Sequence, residues 1–268
     1  MSRLDEAFKN KPIFMPYFPL GYPDIATSVD VIEALARNGA DVIEVGLSFS
    51  DPLADGPVVQ HATQVALEQG ITIPKALAAV TELRKRGVTT PLILMGYYNP
   101  MLSYGLARFV KDAHTAGADG FIVPDLPPEE AADLVRALRE APLQGETVLP
   151  LIPMLAPTSP GERMEMIARN AKGFIYLVSV TGTTGERRDI SAGLAELVAL
   201  VRVHTSAPVC VGFGIGTPEQ AKAVGAIADG VIVGSACVRA IGESKTPVET
   251  AKEFAKSFAA AVGAGIRN

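Results

Sequence analysis

Cysteine is almost missing from this chain. In 268 residues there are two, Cys210 and Cys237, with neither a CxxC pair nor a His-rich companion. A disulfide framework is thereby excluded, and the usage fits a reducing compartment. Long apolar runs are missing as well, none approaching the roughly 18 to 20 residues of a membrane-spanning helix. The opening Met1-Ser2-Arg3-Leu4-Asp5-Glu6 carries acid early and has no apolar segment, so no secretory signal is expected and the expected location is the cytoplasm. Charge of one sign does not dominate either. The 24 basic and 29 acidic residues leave a net −5, without the basic stripe a nucleic-acid partner requires. Hydrophobic residues make up 48% and charged residues 20%, and glycine and proline are scattered throughout. That composition excludes collagenous, coiled-coil and disordered proteins.

What is present is one repeated rhythm. Short β-branched runs alternate with Ala/Leu/Glu/Arg-rich stretches of helical spacing. The expected strands are Ile13–Phe18, Asp41–Val45, Pro91–Gly96, Gly120–Val123, Thr147–Leu151, Gly173–Val178, Ala207–Val211 and Gly230–Val233. Between them, Val29, Ile32, Leu35 and Ala36 form one apolar face, Ala131, Leu134, Val135 and Leu138 a second, and Leu194, Leu197, Val198 and Val201 a third. The phrases Asn38-Gly39-Ala40-Asp41, Ala116-Gly117-Ala118-Asp119-Gly120 and Ala228-Asp229-Gly230 read as a helix-stop glycine or its weaker echo before a turn into the next strand. Eight βα units at this chain length predict an α/β fold, a single (β/α)8 TIM barrel spanning residues 1–268. A doubly wound sheet is the main alternative, though it rarely needs eight evenly spaced strands. Val58–Gln69 and Pro247–Val262 are expected as extra helices, and Gly263–Asn268 as a frayed end.

In such a barrel the loops after the strands build the site. After the seventh expected strand comes Gly212-Phe213-Gly214-Ile215-Gly216-Thr217-Pro218, and after the eighth Gly234-Ser235-Ala236. Glycine lets backbone N–H groups approach an anion, and a helix N-terminus adds its positive dipole end. One such cluster could merely turn the chain. Two, at these strands, point to a phosphorylated small molecule. A third loop, Thr181-Gly182-Thr183-Thr184-Gly185, follows the sixth strand and could fold over the same place.

Strand two supplies the acid–base candidate. Alternation along Asp41-Val42-Ile43-Glu44-Val45-Gly46 turns Ile43 and Val45 toward the helices and Glu44 into the barrel. Burial there should raise its pKa, as suits a general acid–base, although a strand-end Glu paired with an Arg is an equal alternative. Downstream, Asp51 before proline reads as turn chemistry. Asp55-Gly56-Pro57 reads either as a helix cap or as a carboxylate delivered over the barrel mouth. The histidines His61, His114 and His204 fall inside expected helices, and no metal-ligand spacing occurs at strand ends, so no metal is expected. Lysines lie in helices or turns, which disfavours a Schiff base. Neither a Rossmann GxGxxG after strand one nor a Walker A motif occurs. Carboxylate-driven proton transfer on a phosphate ester is what remains.

The phrases Glu44-Val45-Gly46-Leu47-Ser48-Phe49-Ser50-Asp51-Pro52-Leu53-Ala54-Asp55-Gly56-Pro57, Tyr176-Leu177-Val178-Ser179-Val180-Thr181-Gly182-Thr183-Thr184-Gly185 and Gly212-Phe213-Gly214-Ile215 resemble the α subunits of tryptophan synthase, over essentially the whole chain. The resemblance implies a (β/α)8 barrel that splits indole-3-glycerol phosphate into indole and glyceraldehyde 3-phosphate without a cofactor. It also implies partnership with a pyridoxal-phosphate β subunit in an α2β2 complex. By the same resemblance Glu44 is the acid–base and Asp55 the second catalytic carboxylate, with Tyr176 and Thr184 in support. Gly185, Gly214, Gly234 and Ser235 match phosphate-binding positions, and Tyr17, Met95, Tyr97, Ile122, Phe213 and Ile232 match the wall around the indole ring. Asp51 falls in the loop that meets the partner. Tyr22 stands where Asp is frequent, Val180 where some members have Arg, and Tyr17 where a Phe borders the indole. Rival readings are another phosphate-binding barrel, such as an isomerase or a Lys-dependent aldolase, and a non-catalytic regulatory subunit. The missing barrel lysine weighs against the first, and the presence of both Glu44 and Asp55 against the second.

Overall fold

The computed structural model describes residues 2–141, 148–159, 161–179, 187–212 and 214–263, with the backbone alone over 187–192. Eight parallel strands form the sheet: β1 (Ile13–Pro19), β2 (Ile43–Gly46), β3 (Leu92–Met95), β4 (Gly120–Ile122), β5 (Met154–Leu155), β6 (Ile175–Val178), β7 (Val209–Gly212) and β8 (Gly230–Val233). Helices alternate with them. In chain order they are α1 (Arg3–Ala7), α2 (Ile25–Arg37), α3 (Pro57–Glu68), α4 (Ile73–Lys85), α5 (Tyr98–Tyr104), α6 (Leu106–Ala116), α7 (Ala132–Glu140), α8 (Gly161–Asn170), α9 (Arg187–Val203), α10 (Pro218–Gly225), α11 (Ser235–Gly242) and α12 (Pro247–Val262).

Ladders run continuously from β4 through β1 and β8 to β5, and the barrel closes where Phe121 pairs with Leu151. Two bonds make that closure, Phe121 N–H to the Pro150 carbonyl (2.9 Å) and Ile152 N–H to the Phe121 carbonyl (2.8 Å). Here the structure corrects the sequence. The fifth strand, expected over Thr147–Leu151, is a single bridge at Leu151 followed by the short β5, and Thr147 lies outside the described residues. Pro150 and Pro153 have no N–H to give, so this run cannot sustain a ladder.

Two apolar layers result from the strand alternation. Outward residues such as Phe14, Phe18, Ile43, Val45, Leu92, Leu94, Val231 and Val233 pack beneath the helices. Ile13, Met15, Val42, Ile93, Ile122, Phe174, Tyr176, Cys210 and Ile232 fill the barrel itself. The base is plugged by α1, whose Leu4 and Ala7 join that inner layer together with Phe8, the Phe8 ring 5.7 Å from that of Phe174. The sequence had shown only an acidic start there; Ser2 and Asp5 form a reciprocal capping box on α1. One histidine is also relocated: His204 sits one residue past the end of α9.

The Ala-Asp phrases do more than turn the chain. Asp41, Asp119 and Asp229 each accept the N–H of a residue on the neighbouring strand: Phe14 (3.0 Å), Leu92 (2.8 Å) and Val209 (2.9 Å). Each returns its own backbone N–H to that residue's carbonyl at 2.8–3.0 Å. The base is thus clamped in the pairs β1–β2, β3–β4 and β7–β8. Before β6 the residue preceding the glycine is Lys172 rather than an aspartate, so no carboxylate clamp of this kind starts that strand. Asp119 also holds Arg84 and Arg3, as Asp229 holds Lys11 and Arg202, and burial lowers the Arg84 pKa to about 10 in spite of its carboxylate partner. Asp119→Ala leaves a half-buried guanidinium unpaired and should cost roughly 3 kcal/mol of stability. A denaturant midpoint unchanged from wild type would show that the clamp is dispensable.

Candidate active site

The mouth of the barrel is built on β2. Glu44 is 1% exposed, on the inward face as its alternation requires. Among the described residues no arginine pairs with it, and its Oε1 has no hydrogen-bond partner. Burial raises its pKa from the ordinary 4.5 to about 8, so at neutral pH it holds a proton. The alternative of a strand-end Glu–Arg pair finds no such arginine among the described residues.

Two tyrosines face this carboxylate. Tyr17 stands opposite Glu44 in the β1–β2 register, and Tyr176 comes from β6. Burial first, then the carboxylates Asp55 and Glu44, hold both phenols well above their ordinary pKa. Each ring leans into space left by a glycine at the end of the next strand. A Cβ on Gly46 would collide with the Tyr17 hydroxyl, and a Cβ on Gly212 with that of Tyr176. Neither glycine's role was anticipated as a site residue. The signal for the first was available: a glycine two residues beyond an inward strand carboxylate leaves room directly above it. Cys210, from β7, is a buried inner-wall thiol whose pKa is pushed up chiefly by burial. Cys237 is likewise buried.

Asp55 is not the cap of α3. The N-cap residue is Gly56, with no side-chain cap bond, and Pro57 begins the helix. Instead the Tyr97 hydroxyl donates to Asp55 Oδ2 (3.1 Å) while accepting the Ala54 N–H (2.9 Å), which fixes the loop over the mouth. Burial raises the Asp55 pKa and the Tyr97 bond opposes it. Tyr97, expected only as ring wall, is therefore also a loop anchor, and Phe49 packs on it at 5.5 Å between centroids. Ser48 Oγ is a second buried polar atom without a partner among the described residues. Met95, Ile122 and Ile232 line the inner wall beneath.

Two strands along the rim from β2, beyond β8, α11 begins at Ser235, and its N-cap Gly234 makes no side-chain cap bond. The backbone N–H groups of that first turn are free of helical partners by construction. A Cβ on Gly234 would meet only the Tyr17 Cβ, at 3.9 Å, so the position opens toward the mouth. Gly214 has φ +74°, the left-handed region that favours glycine. Thr184, Gly185 and Phe213, with the Thr181–Gly185 loop and Val180, lie outside the described residues. Among the described residues no helix is long and apolar enough to cross a membrane.

A parallel eight-stranded barrel with a proton-holding carboxylate sunk in its mouth, at the carboxyl ends of the strands, is the frame of a (β/α)8 enzyme. Comparison with known proteins narrows the class. The model of the family described as tryptophan synthase alpha chain matches residues 4–264. The alpha chain of Dehalococcoides mccartyi is 46% identical over 88% of this chain and 89% of its own, and that of Geobacter sulfurreducens is 44% identical over the whole of both. The solved alpha subunit from Legionella pneumophila superposes with a TM-score of 0.88 at 36% identity, covering 98% of this chain and 99% of that one. This chain belongs to the tryptophan synthase alpha chain family. Its reaction is the lyase cleavage of indole-3-glycerol phosphate to indole and glyceraldehyde 3-phosphate in tryptophan biosynthesis, and the family works with a β subunit.

Proposed function

We propose that Glu44 is the single acid–base of this cleavage and that Asp55 is its electrostatic partner. The observation carrying this is the buried Glu44 with its unpartnered Oε1 and its pKa near 8. Cleavage of the bond between indole C3 and the glycerol carbon requires C3 to be protonated first. A carboxyl that holds its proton at neutral pH is equipped for that step. Positive charge then develops at the ring nitrogen, and Asp55, held by Tyr97 over the mouth, is placed to stabilise it. Glu44, now ionised, removes the proton of the hydroxyl beside the breaking bond. Tyr176 packs beside Glu44, and Thr184 is assigned a supporting part by family likeness alone.

Gly214, Gly234, Ser235 and Gly185 are proposed to hold the phosphate, the described ones through the open α11 turn and the left-handed Gly214. Tyr17, Met95, Tyr97, Ile122, Ile232 and Phe213 are proposed to border the indole. Binding the phosphate away from the reacting bond fixes the ring and supplies energy for the chemistry. A single barrel domain of this kind needs no cofactor for the reaction.

The proposed working form is a cytoplasmic α2β2 assembly. Leu53 is 91% exposed at the tip of the loop between Glu44 and Asp55, and Leu102 on nearby α5 is 52% exposed. With exposed Asp51 they make an apolar rim suited to a partner whose contact would order Asp55. An assay of indole release, with and without a β subunit, tests this. Added β subunit should raise the rate by about 5- to 150-fold, the ordinary range of coupling between sites. Asp51→Ala should diminish that stimulation and leave the solitary rate nearly intact. If titrating β subunit leaves the wild-type rate unchanged, the chain is a stand-alone lyase.

A further inference from the structure

An indole wall uses the ring of Tyr17 and has no need of its hydroxyl. That side chain spans the mouth. Its Cβ lies 3.9 Å from where a side chain on Gly234 would begin, at the anion-cradle end. Its hydroxyl fills the space above Gly46, two residues on from Glu44 on the same face of β2. The interval from cradle to carboxylate is also the interval that the glycerol chain of the substrate must cross. The phenol is buried, and no described residue exchanges a hydrogen bond with it. Glu44 Oε1, on the adjacent strand, is a buried atom with no partner among the described residues.

Around these two groups stand Asp55 on the loop, Tyr97 beyond β3, Tyr176 on β6 and Cys210 on β7. Ile93, Ile122 and Ile232 complete the wall with apolar surface. A ligand oxygen entering between β1 and β2 therefore meets a carboxylate able to take its proton and a phenol able to donate to it.

We propose that Tyr17 is a catalytic residue, its hydroxyl donating a hydrogen bond to the carbinol oxygen whose proton Glu44 removes. This rests on the assignment of Glu44 made above. As the O–H proton passes to Glu44, its electron pair forms the C=O of glyceraldehyde 3-phosphate. The carbon–carbon bond breaks, and its pair returns to the protonated indole, which leaves neutral and aromatic. Negative charge on the oxygen is greatest in that step, where a fixed donor in a site shut off from water is most effective.

Tyr17→Phe keeps the ring and deletes only the donor. The expected result is a kcat lower by about tenfold, the weight of one ordinary hydrogen bond, with KM changed by less than about twofold. An analogue joining indole to phosphate through a propyl chain without hydroxyls should bind wild type and variant alike, since it has no oxygen for the phenol. An unchanged kcat overturns the proposal. So does a parallel loss of analogue affinity, which would make Tyr17 a packing residue. If Glu44→Gln is inactive while Tyr17→Phe is unimpaired, the Tyr17 role alone fails. If Glu44→Gln turns over normally, the Glu44 assignment fails and the Tyr17 role falls with it.

Discussion

Replacing Glu44 with Gln should lower kcat for indole release by about 10² to 10⁴, the usual share of general acid–base catalysis. Affinity for the substrate should change far less, because the glycine cradle at the start of α11 is untouched. The amide fits the same buried place but can neither protonate C3 nor accept the carbinol proton. Near-normal turnover by the variant would remove Glu44 from the mechanism.

The pH dependence follows from the same burial. Because the carboxyl must be protonated to start the reaction, wild-type kcat/KM should fall as pH rises through about 8. Stability has a matching sign. A carboxyl whose folded pKa is raised favours the fold fully below its ordinary 4.5, and that contribution is lost as pH climbs through about 8. The Gln variant should lack this loss and so gain stability relative to wild type across that window. Parallel stability profiles for the two proteins would contradict a raised Glu44 pKa.

Gly234→Asp should raise KM by about 10²-fold or more, as like charge and bulk meet the phosphate at the start of α11. The fold should tolerate the change, because a Cβ there reaches only the Tyr17 Cβ at 3.9 Å and φ is −96°. A non-phosphorylated indole analogue should bind about as before. Equal weakening of both ligands would place the phosphate elsewhere or indicate a damaged fold.

Much of this site could be seen in one dimension. Glu44 is inward because strand periodicity makes it so, and Ile43 and Val45 take the outer face for the same reason. The βα rhythm likewise predicted eight strands, because β-branched runs and helical faces are local patterns. What escaped depends on groups far apart in the chain. Asp55 as cap or as delivered carboxylate could not be decided until Tyr97, forty-two residues later, was seen to bond it. The room that Gly46 and Gly212 leave for Tyr17 and Tyr176 is a property of neighbouring strands. The shortening of the fifth strand is local in origin: Pro150 lies within the expected run and Pro153 just beyond it, and neither has an N–H to give.

The lysine that precedes β6 in place of an aspartate bears on where the barrel breathes. Three strand pairs, β1–β2, β3–β4 and β7–β8, are pinned by side-chain carboxylates, whereas among the described residues the β5–β6 pair, beside the closure at Phe121, has no such clamp. Solvent deuterium should enter the backbone amides of that corner first, since local opening follows the least-secured bonds. Tyr176 rides on β6. A strand of that unclamped pair thus carries one of the two phenols that face Glu44, so a fluctuation starting at the floor of the barrel is delivered to its reactive end.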